Sequence, residues 1–264
     1  MTSASVKAIG VAAVLSALSP LPALAADVPA PVETGDWTFT AAAYLWGAGI
    51  SGKSGVFGLP AQEVDLGFGD ILKDLDFAFM GLGEARNGRF VLGADLTYSN
   101  VGSSVKNPRK AETLLVNKIE IDTTNWMVTG FGGYTVVDTE MVRLDAIAGG
   151  RLWSVNSDFT LKSDFPAVDG RSVSDGATWV DPLIGAKARI DVAPDIYVSA
   201  WAMIGGFGVG SDLMWDVMAG AGYEFTDRFS VFAGYRAASV DYSNDGFVYD
   251  MLQQGPAVAA VLRF

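Results

Sequence analysis

The chain has no cysteine and no histidine among its 264 residues. Without cysteine there are no disulfides, no thiol nucleophile and no thiolate metal site. Without histidine the usual general base near neutral pH is missing, so hydrolytic chemistry would have to run on carboxylates alone. Charge is also sparse. Only 18% of residues are charged, and Lys+Arg number 18 against 30 Asp+Glu, a net charge of −12. A chain with no basic field has nothing to hold a phosphate backbone, which excludes nucleic acid as a partner. Beyond the N-terminus no apolar run reaches the ~18 residues of a membrane helix.

Yet half of the residues are hydrophobic. Apolar surface without apolar runs must come from alternation, and a closed barrel is the other structure that can span a bilayer. Leu213–Val240 carries that pattern most clearly. Trp215, Val217, Ala219, Ala221, Tyr223 and Phe225 share one face of a first arm, with Asp216, Met218, Gly220, Gly222 and Glu224 on the other. Thr226-Asp227-Arg228 turns the chain. A second arm then sets Phe229, Val231, Ala233, Tyr235 and Ala237 against Ser230, Phe232, Gly234 and Arg236. Successive side chains point to opposite faces of a strand, so each arm has an apolar side and a glycine-rich, sparsely charged side. Aromatic residues near the arm ends fit interfacial girdles.

The same rhythm predicts about ten strands, with eight or twelve also open, in an all-β, closed, antiparallel transmembrane barrel of up-and-down topology over 37–264. The expected strands are Trp37–Gly49, Asp76–Arg86, Arg89–Ser103, Val116–Val136, Met141–Phe159, Ala177–Val192, Ile196–Val209, the two arms above, and Phe247–Phe264. Asn87-Gly88 is the strongest hairpin signal, since both residues accept positive φ. Connections at Asn87-Gly88, Val137–Glu140, Ala193–Asp195 and Thr226–Arg228 are short, and those near 50–75, 104–113 and 160–176 are long. Short turns on one side and long loops on the other are the asymmetry of an outer-membrane barrel.

Met1–Ala25 has the parts of a secretory signal peptide: Lys7, the apolar Ala8–Leu18, and the small-residue site Ala23-Leu24-Ala25. Residues 26–36 are Pro-rich and polar, a short flexible lead-in.

Carried inward by parity, the charges expected in the lumen are Glu84, Asp95, Asp145, Asp181, Asp191, Asp216 and Glu224, against Arg86, Arg143, Arg151, Lys187, Arg189, Arg236 and Arg263. Seven against seven points to paired networks that fill the interior, because buried charge is tolerated when paired. A narrow pore lined by charge rings is the alternative. Filling is favoured, since a ring of ~8 strands just closes on its side chains and a few more add little room.

Three other features have bland readings. Gly47–Ser54, GAGISGKS, matches a phosphate-binding loop, but glycines and Pro60 follow it where a helix is required, so it reads as a chance match. Glu63, Asp65, Asp70, Asp74 and Asp76 form an acidic loop without calcium-loop spacing, and a solvated loop is the reading. Lys106, Arg109 and Lys110 make a local basic spot that could meet lipopolysaccharide phosphates. No cofactor is expected.

The C-terminus reads GPAVAAVLRF, with Val258, Ala260, Leu262 and Phe264 on one face and a terminal aromatic. This resembles the assembly signal of Gram-negative outer-membrane barrels, and with the leader the chain is similar to the small OmpA/OmpX/opacity-type group. The resemblance implies outer-membrane localisation, recognition by the barrel-assembly machinery, and contact with outer-membrane lipid and lipopolysaccharide. Barrel enzymes of this architecture use a histidine, which this chain lacks. The resemblance therefore implies a non-enzymatic envelope-structural or surface-interaction role, or else a narrow porin-like channel for small solutes. The sequence stops at the last strand without the peptidoglycan-binding domain of OmpA itself.

Overall fold

A computed structural model describes residues 37–106, 117–164 and 166–264. The leader, the lead-in and the basic spot (Arg109, Lys110 and the side chain of Lys106) lie outside the described residues.

Twelve strands and one short helix follow in order: β1 Thr38–Trp46, β2 Gly49–Gly55, β3 Gln62–Leu66, α1 Phe68–Asp74, β4 Leu75–Asn87, β5 Phe90–Lys106, β6 Lys118–Asp138, β7 Val142–Lys162, β8 Ser172–Ala193, β9 Ile196–Gly206, β10 Leu213–Thr226, β11 Phe229–Asn244 and β12 Phe247–Arg263. Ten of them, β1 and β4 to β12, form an antiparallel ring in which each neighbours the next and β1 closes onto β12 from Thr40↔Arg263 to Trp46↔Ala257. The architecture is thus the closed up-and-down barrel of ten strands. Closure removes the free edges that an open sheet would leave.

The remaining two strands correct the expectation of one long first strand followed by an irregular loop. After Trp46 the chain steps out of the β1–β4 ladder and continues along β12 as β2, from Gly49↔Gln254 to Gly55↔Val248. β3 then folds back on β2. The step comes at Gly47, whose N–H still reaches the Pro256 carbonyl at 2.8 Å. The GAGISGKS stretch lies here, mostly in strand, with Lys53 opposite Asp250, so it has no helix N-terminus to cradle phosphate. Other bounds move by a few residues: β8 starts at Ser172 and β9 ends at Gly206.

Sidedness follows the two-residue rhythm. Val217, Val258, Ile184 and Leu92 stand on the outside, and Ala219 and Ala221 are exposed with them. At the short-turn end the outer surface carries stacked Trp37, Phe39 and Phe264, an edge-on Phe90–Tyr134 pair, and the Tyr223–Phe225–Phe229 run. Higher up, Phe77, Tyr98 and Trp126 make a second row on β4, β5 and β6. These two rows bracket the apolar band. A bilayer is crossed by ~9–11 residues of tilted strand. β6, β7 and β8 run 21, 21 and 22 residues, so their long-loop ends project well beyond the band.

Candidate functional site: the filled lumen

The interior has three levels, and each is set by which residues parity carries inward at that height. The middle level is a waist of buried charge. Arg151 on β7 donates from Nε to the Thr129 hydroxyl at 2.7 Å and from Nη2 to Asp216 on β10 at 2.7 Å. Arg236 on β11 reaches the same carboxylate through Nη2 at 2.7 Å and through Nε at 3.2 Å. Its Nη2 also bonds Asp95 on β5 at 2.9 Å, and its Nη1 bonds the Tyr44 hydroxyl at 2.7 Å. The Tyr44 hydroxyl, from β1, in turn donates a hydrogen bond to Asp95 at 2.7 Å. The Trp201 indole completes the set, donating to Asp216 at 2.9 Å. The Arg236 guanidinium lies between the Trp46 and Trp201 rings, 4.8 and 5.1 Å from their centroids. Arg151, Asp216 and Arg236 have no solvent exposure. Their burial is tolerated because each charge has an opposite partner and further hydrogen bonds. The waist ties β1, β5, β6, β7, β9, β10 and β11 across the barrel.

Below it, towards the short turns, a second charge tier surrounds a cavity of about 890 Å³. Arg86 bonds Glu84 at 2.6 Å and forks onto Asp145, which also accepts from Thr135 at 2.7 Å. Lys187 pairs with Glu84. Arg189 bonds both Glu224 and Asp191 at 2.7 Å and stacks on Tyr197 at 3.8 Å, while Arg263 pairs with Glu224. Pro194, Asp227 and Arg228 line the cavity where it reaches the turns.

Two of the expected lumen charges stand apart. Arg143 sits at the mouth of this cavity and, among the described residues, pairs only with Asp138, at 3.4 Å, both half-exposed. Its position near the end of β7 leaves it in water rather than in the tier. Asp181 is fully buried but has no cation partner among the described residues. It accepts from the Trp179 indole at 3.2 Å and the Ser211 backbone N–H at 2.6 Å.

The upper level departs from an interior of charge and glycine. It is a dry apolar core of Trp153, Trp179, Met203, Met214, Val240, Tyr242, Tyr249 and Met251. Trp179 stacks face to face on Tyr242, with centroids 3.9 Å apart, and on Trp153 at 6.0 Å. Parity held the signal for these residues. Two places outward from Arg151 is Trp153, from Asp181 is Trp179, and from Asp216 is Met214; six outward from Arg236 is Tyr242. Each is inward by count, yet apolar.

The turn between β2 and β3 covers this core. Phe57 meets Phe159 of β7 edge-on at 5.4 Å, and its N–H donates to the Asp175 carboxylate of β8. The next residue, Gly58, donates to the Gly246 carbonyl in the β11–β12 turn at 3.2 Å. Phe57 takes φ +57°, a left-handed conformation uncommon for a bulky residue, held by these contacts.

The last strand places Val258, Leu262 and Phe264 on the exposed outer face, with Ala260 between them. The acidic residues Glu63, Asp65, Asp70, Asp74 and Asp76 are all exposed around β3, α1 and the start of β4. Among the described residues no cluster of carboxylates is arranged to hold a metal ion.

No protein-family model matches the sequence, and no curated protein does. Among solved structures, the chain is similar to the translocator domain of the autotransporter NalP from Neisseria meningitidis, at 13% identity over 88% of this chain and 90% of that one, with TM-score 0.45. It is also similar to the attachment invasion locus protein Ail of Yersinia pestis, at 14% identity over 87% and 99%, TM-score 0.36. Neisserial surface protein A is a third, at 14% identity over 86% and 97%, TM-score 0.36. The likeness is one of barrel fold and reaches no further.

Proposed function

We propose that this protein is a sealed, non-enzymatic barrel of the Gram-negative outer membrane, exported by the Met1–Ala25 leader, with an envelope-structural or surface-interaction role. The observation that carries the reading is the waist, where Arg151, Asp216 and Arg236 cross the lumen with no solvent exposure beneath a stacked aromatic core. Solute has no wet path through such an interior, so the narrow-channel alternative is the weaker one. The long ends of β6, β7 and β8 supply the contact surface. Hydroxyls line both faces there, with Thr123 against Ser157 at 3.1 Å on the inward face and Thr178 against Ser154 at 2.9 Å on the outward one. The exposed row ending in Phe264 suits recognition by the assembly machinery.

Planar-bilayer recording of the refolded full chain tests the reading. A silent bilayer after verified insertion is expected. Reproducible single-channel steps from the wild-type protein would overturn it in favour of the channel.

A further inference from the structure

Of the seven carboxylates that parity carries inward, six have a cation. Arg86 holds Glu84 and Asp145, and Lys187 shares Glu84. Arg189 holds Asp191 and Glu224, and Arg263 shares Glu224. Arg236 holds Asp95 and Asp216, and Arg151 shares Asp216. The seventh expected cation, Arg143, is taken by Asp138 in water. Asp181 is therefore the lumen carboxylate without a cation among the described residues, and it has no solvent exposure. An ionised carboxylate is costly to hold in a dry interior unless an opposite charge meets it.

Arg151 does not supply that charge. It stands directly opposite Asp181 in the β7–β8 ladder, yet its guanidinium turns to Thr129 and Asp216. The groups that bond Asp181 are neutral, the Trp179 indole and the Ser211 backbone N–H. Oxygen atoms gather beside it instead. Ser211, in the loop between β9 and β10, is 1% exposed, and its hydroxyl oxygen has no hydrogen-bond partner. The Val180 carbonyl oxygen lies on the same side. A Cβ on Gly210, the residue before Ser211, would stand 2.5 Å from that oxygen and 2.6 Å from Asp181 Oδ1. Carboxylate, hydroxyl and carbonyl oxygens are the donors that hard cations take.

We infer that Asp181, the Ser211 hydroxyl and the Val180 carbonyl bind one small alkali cation beneath the β9–β10 loop. The lumen lacks a single positive charge, so a monovalent ion balances it. A divalent ion would leave an excess of the other sign in the same dry place. Phe207 and Val209 of this loop are exposed, so the ion enters from the long-loop end. Once bound, it ties β8 to the loop that joins β9 to β10.

The full chain, refolded in detergent, is compared in sodium, potassium and N-methylglucamine chloride. Ionic strength is kept equal, so that screening of the acidic exterior is the same in all three. N-methylglucamine is too large for the site. An ion that binds only the folded chain stabilises it. The midpoint of the heat-modifiability transition is expected to lie several degrees higher in sodium or potassium, and the larger rise names the ion. Asp181→Asn, which removes the charge and keeps the shape, is expected to abolish the difference. Ser211→Ala is expected to need several-fold more of the ion for the same rise. Equal midpoints in all three salts overturn the site. A full rise in Asp181→Asn also overturns it, by placing the ion elsewhere. Should Asp181→Asn fail to refold, Ser211→Ala decides, and an unchanged ion requirement in that variant overturns the site.

Discussion

Arg151 on β7 and Arg236 on β11 reach the same Asp216 carboxylate from different sides of the lumen, each at 2.7 Å, and none of the three has contact with solvent. One carboxylate thus holds two guanidiniums that would otherwise face each other in a dry interior. Removing it leaves the buried Arg151 guanidinium without a counter-charge, while Arg236 keeps Asp95 alone. Asp216→Ala is expected to lower the unfolding free energy by about 3–5 kcal/mol, the range for breaking a buried pair from one side. Urea unfolding in lipid vesicles, followed by tryptophan fluorescence, measures this. A loss under ~1 kcal/mol, as for an exposed pair, would mean that the waist is wet.

The aromatic core above the waist is a second barrier. Arg151→Ala alone is therefore expected to leave the planar bilayer silent. Arg151→Ala combined with Trp179→Ala and Tyr242→Ala, which dismantles the 3.9 Å stack, is expected to conduct. Conductance from the single variant would show that the stack does not seal the upper lumen.

The covering turn depends on the Asp175 carboxylate, which accepts the Phe57 N–H. Asp175→Ala is expected to release residues 55–61 without loosening the ring, since β2 keeps its ladder to β12. Limited proteolysis should then cut within this turn, while the cut pattern of the wild type stays confined elsewhere. Amide exchange at Phe57 should accelerate in parallel. Unchanged cutting and exchange would assign the hold to Phe159 instead.

Two glycines on neighbouring strands, Gly130 opposite Gly150 and Gly149 opposite Phe131, behave differently. A Cβ on Gly149 would overlap the Gly130 carbonyl oxygen, a backbone atom that cannot turn aside, whereas a Cβ on Gly130 meets nothing within 4 Å. Gly149→Ala is expected to impair refolding in a heat-modifiability assay, and Gly130→Ala to refold as wild type. Equal yields would show that β6 and β7 can slide apart.

The ten-strand ring was legible from sequence because alternation and the spacing of turns are local. Asn87-Gly88 and Thr226–Arg228 announce their hairpins, and parity alone turns Asp216, Arg236 and Arg151 inward. Height was not legible. Parity says whether a side chain points in or out, not how far along the axis it sits, so the apolar Trp153 and Tyr242 could not be assigned to a dry upper core. The step at Gly47 was hidden for a similar reason. β1 and β2 both read as extended, and only the partner of each, seen in three dimensions, tells that β12 serves both while β4 loses its neighbour. Arg143 was inward by count but too near the strand end to be enclosed.

β12 pairs Ala257–Arg263 with β1 and Val248–Gln254 with β2. A slip of this final strand by two residues would shift the closing joint of the cylinder and the hairpin that roofs it by the same amount. Completion of the wall and covering of the mouth are therefore a single event, governed by where the last strand comes to rest.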